Sequence, residues 1–457
     1  MNDARKTATL ASVALVLAVL TWATAPRSTT PNAFQDRGTS FFPGFTDPTM
    51  ARSLEVVDFQ EDTATAHPFR LQLKSGLWTI PSNDDYPADN IERLSNTVAA
   101  IIALKKDNVA TDNVSEHQRT GTLDPLDETL PTLHGRGTRV TIKGDNDRLL
   151  ADLVIGKPLE ERPAFRYVRV ADQARVYVAQ VGHLDISTKF TDWIDPDLLK
   201  IQWDEVDQVI IRDYSRDRAT RGVKLRDTFF IQKAGEDDEG RVRWVQREAR
   251  PGEQVDSFRA NLVNTALDQL SIIGVRPKPP GLASGLTLTT GTLKVSQSDL
   301  SDLGSKGFYF TRQGQLLSDE GEVLVHTKLG IFFRLWFGDI AYGDVEGAVT
   351  NTGAAAVAGN KPSPATGARP TNEMSLEAGA KPAAAKSSAS VLNRYLIITV
   401  SFDPAQIPAG PTRDAAQKRA ASLQARFAPW YYVISGQSFE QMRPPRPLLI
   451  KSKANAG

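Results

Sequence analysis

Phe69-Arg70-Leu71-Gln72-Leu73, a turn, then Leu77-Trp78-Thr79-Ile80, and far downstream Thr228-Phe229-Phe230-Ile231-Gln232, an acidic tip, then Val242-Arg243-Trp244-Val245: these paired stretches decide the reading of the chain. Each alternates apolar and polar residues across a turn and ends in a tryptophan strand, the pattern of a half-buried hairpin. Each also leads through a polar loop to a helical pattern. The first helix is expected to start near Asp89, with Glu92 three residues on completing a capping box, and the second near Asp256. Both contain Leu-x-Asn-Thr, at Leu94 to Thr97 and Leu262 to Thr265, 16 and 18 residues beyond their tryptophans. Helical spacing puts Ile91, Leu94, Val98 and Ile101 on one face, and Phe258, Leu262, Ala266 and Leu270 on the other copy's core face.

Working outward, both hairpin-helix pairs are followed by strand patterns. In the first copy these are Arg139 to Lys143, Leu149 to Ile155, Arg166 to Val170 and Arg175 to Ala179, with Gly144-Asp145-Asn146-Asp147 as a turn that suits φ > 0 at Gly144 and Asn146. In the second they are Val323 to Thr327, Phe332 to Phe337, Arg394 to Phe402 and Trp430 to Ile434, with an extra helix over Arg413 to Phe427. Leu198-Leu199-Lys200-Ile201 and Leu448-Leu449-Ile450-Lys451 trail the two copies at similar distances. Hairpins and isolated helices without regular βαβ alternation predict an α+β fold: two tandem repeats of an antiparallel-sheet-plus-helix unit, over 53–202 and 203–450, with a tail at 451–457.

Two segments stand apart from these units. Arg5 and Lys6 precede an uncharged run, Ala8 to Ala25, which at 1.5 Å per residue spans roughly 27 Å of helix against a hydrocarbon core of about 30 Å. It reads as an export signal. Ala23-Thr24-Ala25 has the small residues of a cleavage site, but Pro26 opposes cleavage, so residues 1–27 are expected to stay as a membrane anchor. Its flanking basic residues place the bulk of the chain on the extracytoplasmic, periplasmic side. Residues 28–52 are a Ser/Thr/Pro/Gly-rich spacer, and the Ala/Pro/Gly-rich stretch 347–390 lacks the aromatic and β-branched content to build a core, as expected of a disordered insertion.

Composition narrows function by exclusion. The 54 basic residues balance 54 acidic ones without a basic tract, which argues against nucleic acid as a partner. With no cysteine there are no disulfides, thiolate metal sites or thiol nucleophiles. His67, His117, His134, His183 and His326 form no pair at metal spacing, and Asp145-Asn146-Asp147 lacks the Gly and distal Glu of a calcium loop, so no metal and no cofactor are expected. Asp192, Asp195 and Asp197 around Trp193 could be drawn as a hydrolytic carboxylate pair, but Pro196 and Leu198-Leu199 favour a loop entering a strand. Trp336, Trp430, Tyr431 and Tyr432 could form a stacking platform for polysaccharide or peptidoglycan, although strand alternation favours core packing. No nucleophile elbow, Walker loop or dinucleotide fingerprint is present, so no catalytic residue is named and the chain is read as a non-enzyme.

Taken in order, Trp78, the Asp89 helix, Ile155-Gly156-Lys157, Tyr167-Val168-Arg169, Val176-Tyr177-Val178, Trp193 and Leu198-Leu199 resemble a bacterial family, the domain of unknown function numbered 4340. The resemblance spans residues 53–205 and, through the repeat, 205–450 more loosely. It implies an amino-terminal membrane anchor and association with ABC-type export systems, including auxiliary components related to gliding motility, with no catalytic residues to carry over. The expectation is an accessory or scaffold protein working through protein partners, with a glycan-binding module as the alternative.

Overall fold

A computed structural model describes residues 36–452 apart from 183, 218–221, 237–239, 284–285, 287–294, 312 and 343–391. The expected anchor and the expected insertion therefore lie outside the described residues. Among those described, no helix is long and apolar enough to cross a membrane.

The chain divides into two compact units. One takes in the chain up to Trp78 together with Ile91–Thr188; the other takes in Thr79–Asn90 and the chain from Lys189 onward. Residues 189–202, placed with the first copy in the sequence reading, thus pack with the second unit, as does the twelve-residue excursion 79–90.

Strands of the first unit are β1 (Ser53–Gln60), β2 (Thr65–Lys74) and β3 (Leu77–Ile80), whose last two residues hairpin with β4 (Tyr86–Pro87) inside the second unit, then β5 (Asn108–Thr111), β6 (Thr138–Lys143), β7 (Leu149–Leu159), β8 (Arg162–Val170) and β9 (Val176–Gln180). They lie in the order β3-β2-β1-β6-β7-β8-β9-β5. Antiparallel register lines up Phe69, Val56, Val140 and Leu153, and beside them Leu71, Leu54, Ile142 and Ala151, all buried. Helix α1 (Ile91–Ala103) buries Leu94, Thr97, Val98 and Ile101, while Ile91 is exposed. A short helix, α2 (His117–Thr120), follows it.

The second unit holds β10 (Val206–Arg216), β11 (Val223–Glu236), β12 (Val242–Gln246), β13 (Glu253–Val255), β14 (Gly274–Pro277), β15 (Phe308–Phe310), β16 (Leu316–Ser318), β17 (Glu322–Thr327), β18 (Ile331–Ile340), β19 (Arg394–Phe402), β20 (Trp430–Ile434) and β21 (Ile450–Ser452). Its large sheet runs β12-β11-β10-β17-β18-β19-β20-β14, and two small ladders pair β13 with β21 and β15 with β16. Its helices are α3 (Ser257–Asp268), α4 (Pro280–Ala283), α5 (Gln297–Ser305), α6 (Pro411–Phe427), α7 (Gly436–Met442) and α8 (Arg446–Leu449). Core rows run Ile231-Val209-Val325-Phe333-Val400 and Phe229-Ile211-Val323-Leu335-Ile398 across five strands. The fold is therefore α+β with mostly antiparallel sheets.

Four local expectations are corrected. The carboxylate of Asp89 does not cap α1: it accepts from Asp195 N–H at 2.6 Å and from Arg426 Nη2 at 3.0 Å, within the second unit. The core face of α3 is Ala260, Val263, Asn264 and Leu267, whereas Phe258 and Leu262 are exposed and only Leu270 of the expected set is fully buried. In the turn before β7, Asn146 and Asp147 take φ > 0 but Gly144, at φ −100°, does not. Finally, the folded part begins before Ser53, because Phe41 and Phe45 of the expected spacer are buried. The other helix starts and stops hold: Asp256 caps α3 by accepting from Phe258 and Arg259 N–H, and α6 spans the expected extra helix.

Candidate functional site

The outward face of α3 builds one wall of an apolar groove in the second unit. Ser257 to Asp268 form a helix because Asp256 caps them and Trp244, 2% exposed, anchors them from β12: its Nε1 donates to Asn261 Oδ1 at 2.8 Å. Burying Val263 and Leu267 turns Leu262 and Ala266 outward. On α7, Ser435 caps the start by accepting from Ser438 N–H, and Phe439 and Met442 go into the core, leaving Gln437, Glu440 and Gln441 outside. Between α3, α7 and α8 runs a groove of about 420 Å³. Its floor is Leu262, Val263, Ala266, Leu448 and Leu449, and Arg259 and Glu440 are among its rim residues. Leu262 is 46% exposed, Leu448 51%, and Phe258, one turn before Leu262, 67%. Large side chains gain about 25 cal/mol per Å² when apolar surface leaves water, so three of them clustered outside are a surface that covering would stabilise.

The carboxylates singled out in the sequence form a folded loop. The one-turn helix Phe190–Asp192 leads into Trp193, which is 1% exposed. Asp195 Oδ1 accepts from Asp197 N–H at 3.0 Å, Asp197 Oδ1 from Lys200 N–H at 2.7 Å, and Lys200 Nζ lies 2.5 Å from Asp195 Oδ2. Burial raises the Asp195 carboxyl, but the Lys200 ammonium and the Asp197 N–H outweigh it and leave it below its ordinary value. A carboxylate so held is a brace for a turn, as the loop reading expected, although Leu198-Leu199 stay in the loop and the next strand starts only at Val206.

Three of the four platform aromatics are buried and Trp430 is half-buried. Trp336, Tyr431 and Tyr432 are 5%, 0% and 0% exposed. Tyr431 donates to Asp302 Oδ2 at 3.0 Å and Tyr86 meets Trp430 edge-on at 5.1 Å between ring centroids, so these faces are already occupied. Among the described histidines, His117 Nε2 lies 2.8 Å from Ala174 O, His134 Nδ1 lies 2.7 Å from Glu61, and His326 packs against Phe332. No group of three or more His, Asp or Glu among the described residues could hold a metal ion.

Residues 78–286 match the family model of the domain of unknown function DUF4340. The resemblance carried by Trp78, Gly156, Tyr167-Val168-Arg169 and Trp193 is thereby borne out, although the match starts at Trp78, later than the expected Ser53, and runs on through α3. The DUF4340 match thus takes in the exposed α3 face and most of the first unit's strands. No curated protein and no solved structure matches the chain.

The groove could not have been found from apolar periodicity alone. Asn264 sits in the buried face, 4% exposed with Nδ2 donating to Trp203 O at 3.0 Å, and a polar residue there makes the opposite face look like the core.

Proposed function

We propose that this protein is a non-enzymatic accessory or scaffold protein, built as two copies of one α+β unit, that works through protein contacts beside an ABC-type export or surface-assembly system. The observation that carries the contact reading is the apolar groove of α3, α7 and α8. It is lined by residues at i, i+3 and i+4 spacing, Arg259, Leu262, Val263 and Ala266 from one helix and Gln437, Glu440 and Gln441 from another. That spacing fits one more helix laid into the groove. The occupant we favour is an amphipathic helix of a partner protein with an apolar stripe for Leu262 and Leu448. An acidic residue on its flank would face Arg259 and a basic one Glu440.

Support for the repeat comes from the strand orders. Written from the tryptophan strand, β3-β2-β1-β6-β7-β8-β9-β5 and β12-β11-β10-β17-β18-β19-β20-β14 correspond place for place, each with a helix between the tryptophan strand and the strand that closes the far edge. The buried helix positions correspond as well, Leu94, Val98 and Ile101 with Val263, Leu267 and Leu270, one residue out of step with the shared Leu-x-Asn-Thr. Ala8 to Ala25 is the proposed anchor, holding both units on the extracytoplasmic side. The burial of Trp336, Tyr431 and Tyr432, with Trp430 half-buried, favours the contact reading over the polysaccharide or peptidoglycan alternative.

Full-length protein extracted gently in detergent should co-purify with an export-system subunit, and Leu262→Asp should abolish this while leaving the thermal unfolding temperature within a degree or two. Co-purification unchanged by Leu262→Asp, or a wild type that elutes alone, would count against the proposal.

A further inference from the structure

The second unit's large sheet has a polar face opposite its core rows, and it is not open to water throughout. Register places Arg212, Glu322, Trp336 and Ile397 side by side across β10, β17, β18 and β19, next to the row Leu324-Arg334-Thr399 and the row His326-Phe332-Ser401. All of these residues except Ile397 line a cavity of about 680 Å³ that also takes in Leu286 and Leu316, which pack with Trp336 and Ile397 in an apolar cluster. The volume falls in the range of about 300–1,000 Å³ common for small-molecule sites.

Three features argue for a ligand rather than a plain surface ladder. Glu322 is 2% exposed and held by Arg212, Nη1 to Oε1 at 2.5 Å, with Arg334 Nε 3.7 Å from Oε2. Two guanidiniums against one carboxylate leave one positive charge in excess, and His326, kept below its ordinary value chiefly by burial, adds none at neutral pH. Arg212 and Arg334 remain 45% and 46% exposed, so each can offer further N–H donors to an incoming group. Arg334 also lies over the Trp336 ring at 5.4 Å, which sets a cation beside the apolar end. The third feature is Trp336 itself, 5% exposed with its Nε1–H lacking a hydrogen-bond partner among the described residues. A buried indole N–H without an acceptor costs stability unless something supplies one.

We propose that this cavity binds a small organic carboxylate with an apolar, ring-sized body: the carboxylate on Arg334 and Arg212, the body against Trp336, Leu286 and Leu316. A neutral molecule would leave the excess charge uncompensated, and a bare anion would leave the apolar end empty.

The test is calorimetric titration of the full-length protein with 1-naphthoate, with its uncharged isostere 1-naphthamide, and with acetate. One saturable site for naphthoate is expected, at least about tenfold weaker for naphthamide, since hydrogen bonds to charged groups carry that much discrimination, and no measurable binding of acetate. Arg334→Gln, at a half-exposed position, should weaken naphthoate at least tenfold with the fold retained by circular dichroism. Trp336→Phe should weaken it several-fold, whereas a merely structural orphan would show unchanged binding and higher stability. Equal affinity for naphthoate and naphthamide would overturn the proposal. So would Arg334→Gln binding like wild type, or naphthoate binding that is lost on Leu262→Asp instead, which would place the ligand in the helical groove.

Discussion

Replacing Tyr86 by alanine should destabilise the second unit selectively, although Tyr86 lies between two segments of the first. Tyr86 is 2% exposed and meets Phe190 at 5.7 Å, Trp430 at 5.1 Å and Tyr432 at 6.5 Å between ring centroids, all edge-on. Burial pushes its phenol up to about 12, with Arg426 opposing. Truncating a buried aromatic costs about 3–5 kcal/mol, and aromatic pairs worth about 0.5–1.5 kcal/mol each put this site in the upper half of that range. With a urea m-value near the top of the usual range, about 3 kcal/mol/M, the second unit's midpoint should fall by roughly 1–2 M. Tyr86→Phe keeps the rings in contact and should cost only about 1 kcal/mol. Hydrogen exchange through a urea series separates the units: in Tyr86→Ala, peptides from 206–216 and 322–337 should open early, while those from 53–60 and 138–159 keep their wild-type midpoint. If the first unit's peptides open early and the second unit's do not, the assignment of residues 79–90 is wrong.

Further outcomes follow from single residues. Lys278 is 5% exposed, donates to Phe427 O and Ala428 O at the end of α6, and burial lowers its ammonium to about 7. Its folded value lies below the unfolded one, so its cost is fully present below pH 7 and fades as pH rises toward 10. The second unit should gain stability over that window by up to about 1.4 kcal/mol per pH unit, and Lys278→Met should flatten the slope in urea titrations at pH 6, 8 and 9.5; equal slopes would refute it. At Gly156 an added Cβ would meet the Thr120 carbonyl oxygen and, at 2.7 Å, the Thr122 methyl. Gly156→Ala should therefore destabilise the first unit by about 1–3 kcal/mol in denaturant unfolding, with no shift for the second; an unchanged first unit would contradict the packing described.

Much of the fold was legible because its strands carry strict alternation. Val323, Val325 and Leu335 face the core opposite Leu324 and Arg334, and period-2 patterning of that kind places a strand without knowledge of its neighbours. What could not be read is long-range. Nothing local in Asn108–Thr111 says that β5 pairs with β9, and nothing in Tyr86 says that it belongs beside Trp430. The Asp89 capping box failed for the same reason: Arg426, 337 residues away, and the Asp195 N–H take the carboxylate that a local rule assigned to α1. Helix α3 has apolar residues on two faces, and the long-range ties of Asn261 to Trp244 and of Asn264 to Trp203 O hold one of them inward. Both candidate sites escaped the sequence reading on these grounds. The groove needs the orientation of α3, and the sheet-face cavity needs Arg212 brought level with Glu322 and Trp336, more than 100 residues further along the sequence.

The claim that the protein acts through its α3–α7–α8 surface is tested most directly by photo-crosslinking in the native membrane, with the reactive residue at position 262 and, as control, at Arg243 on the sheet edge. The account predicts one adduct specific to position 262, joined to an amphipathic helical peptide of an export-system subunit and lost when Leu448 is also changed to Asp. The same adducts from both positions, or none from 262, would contradict it.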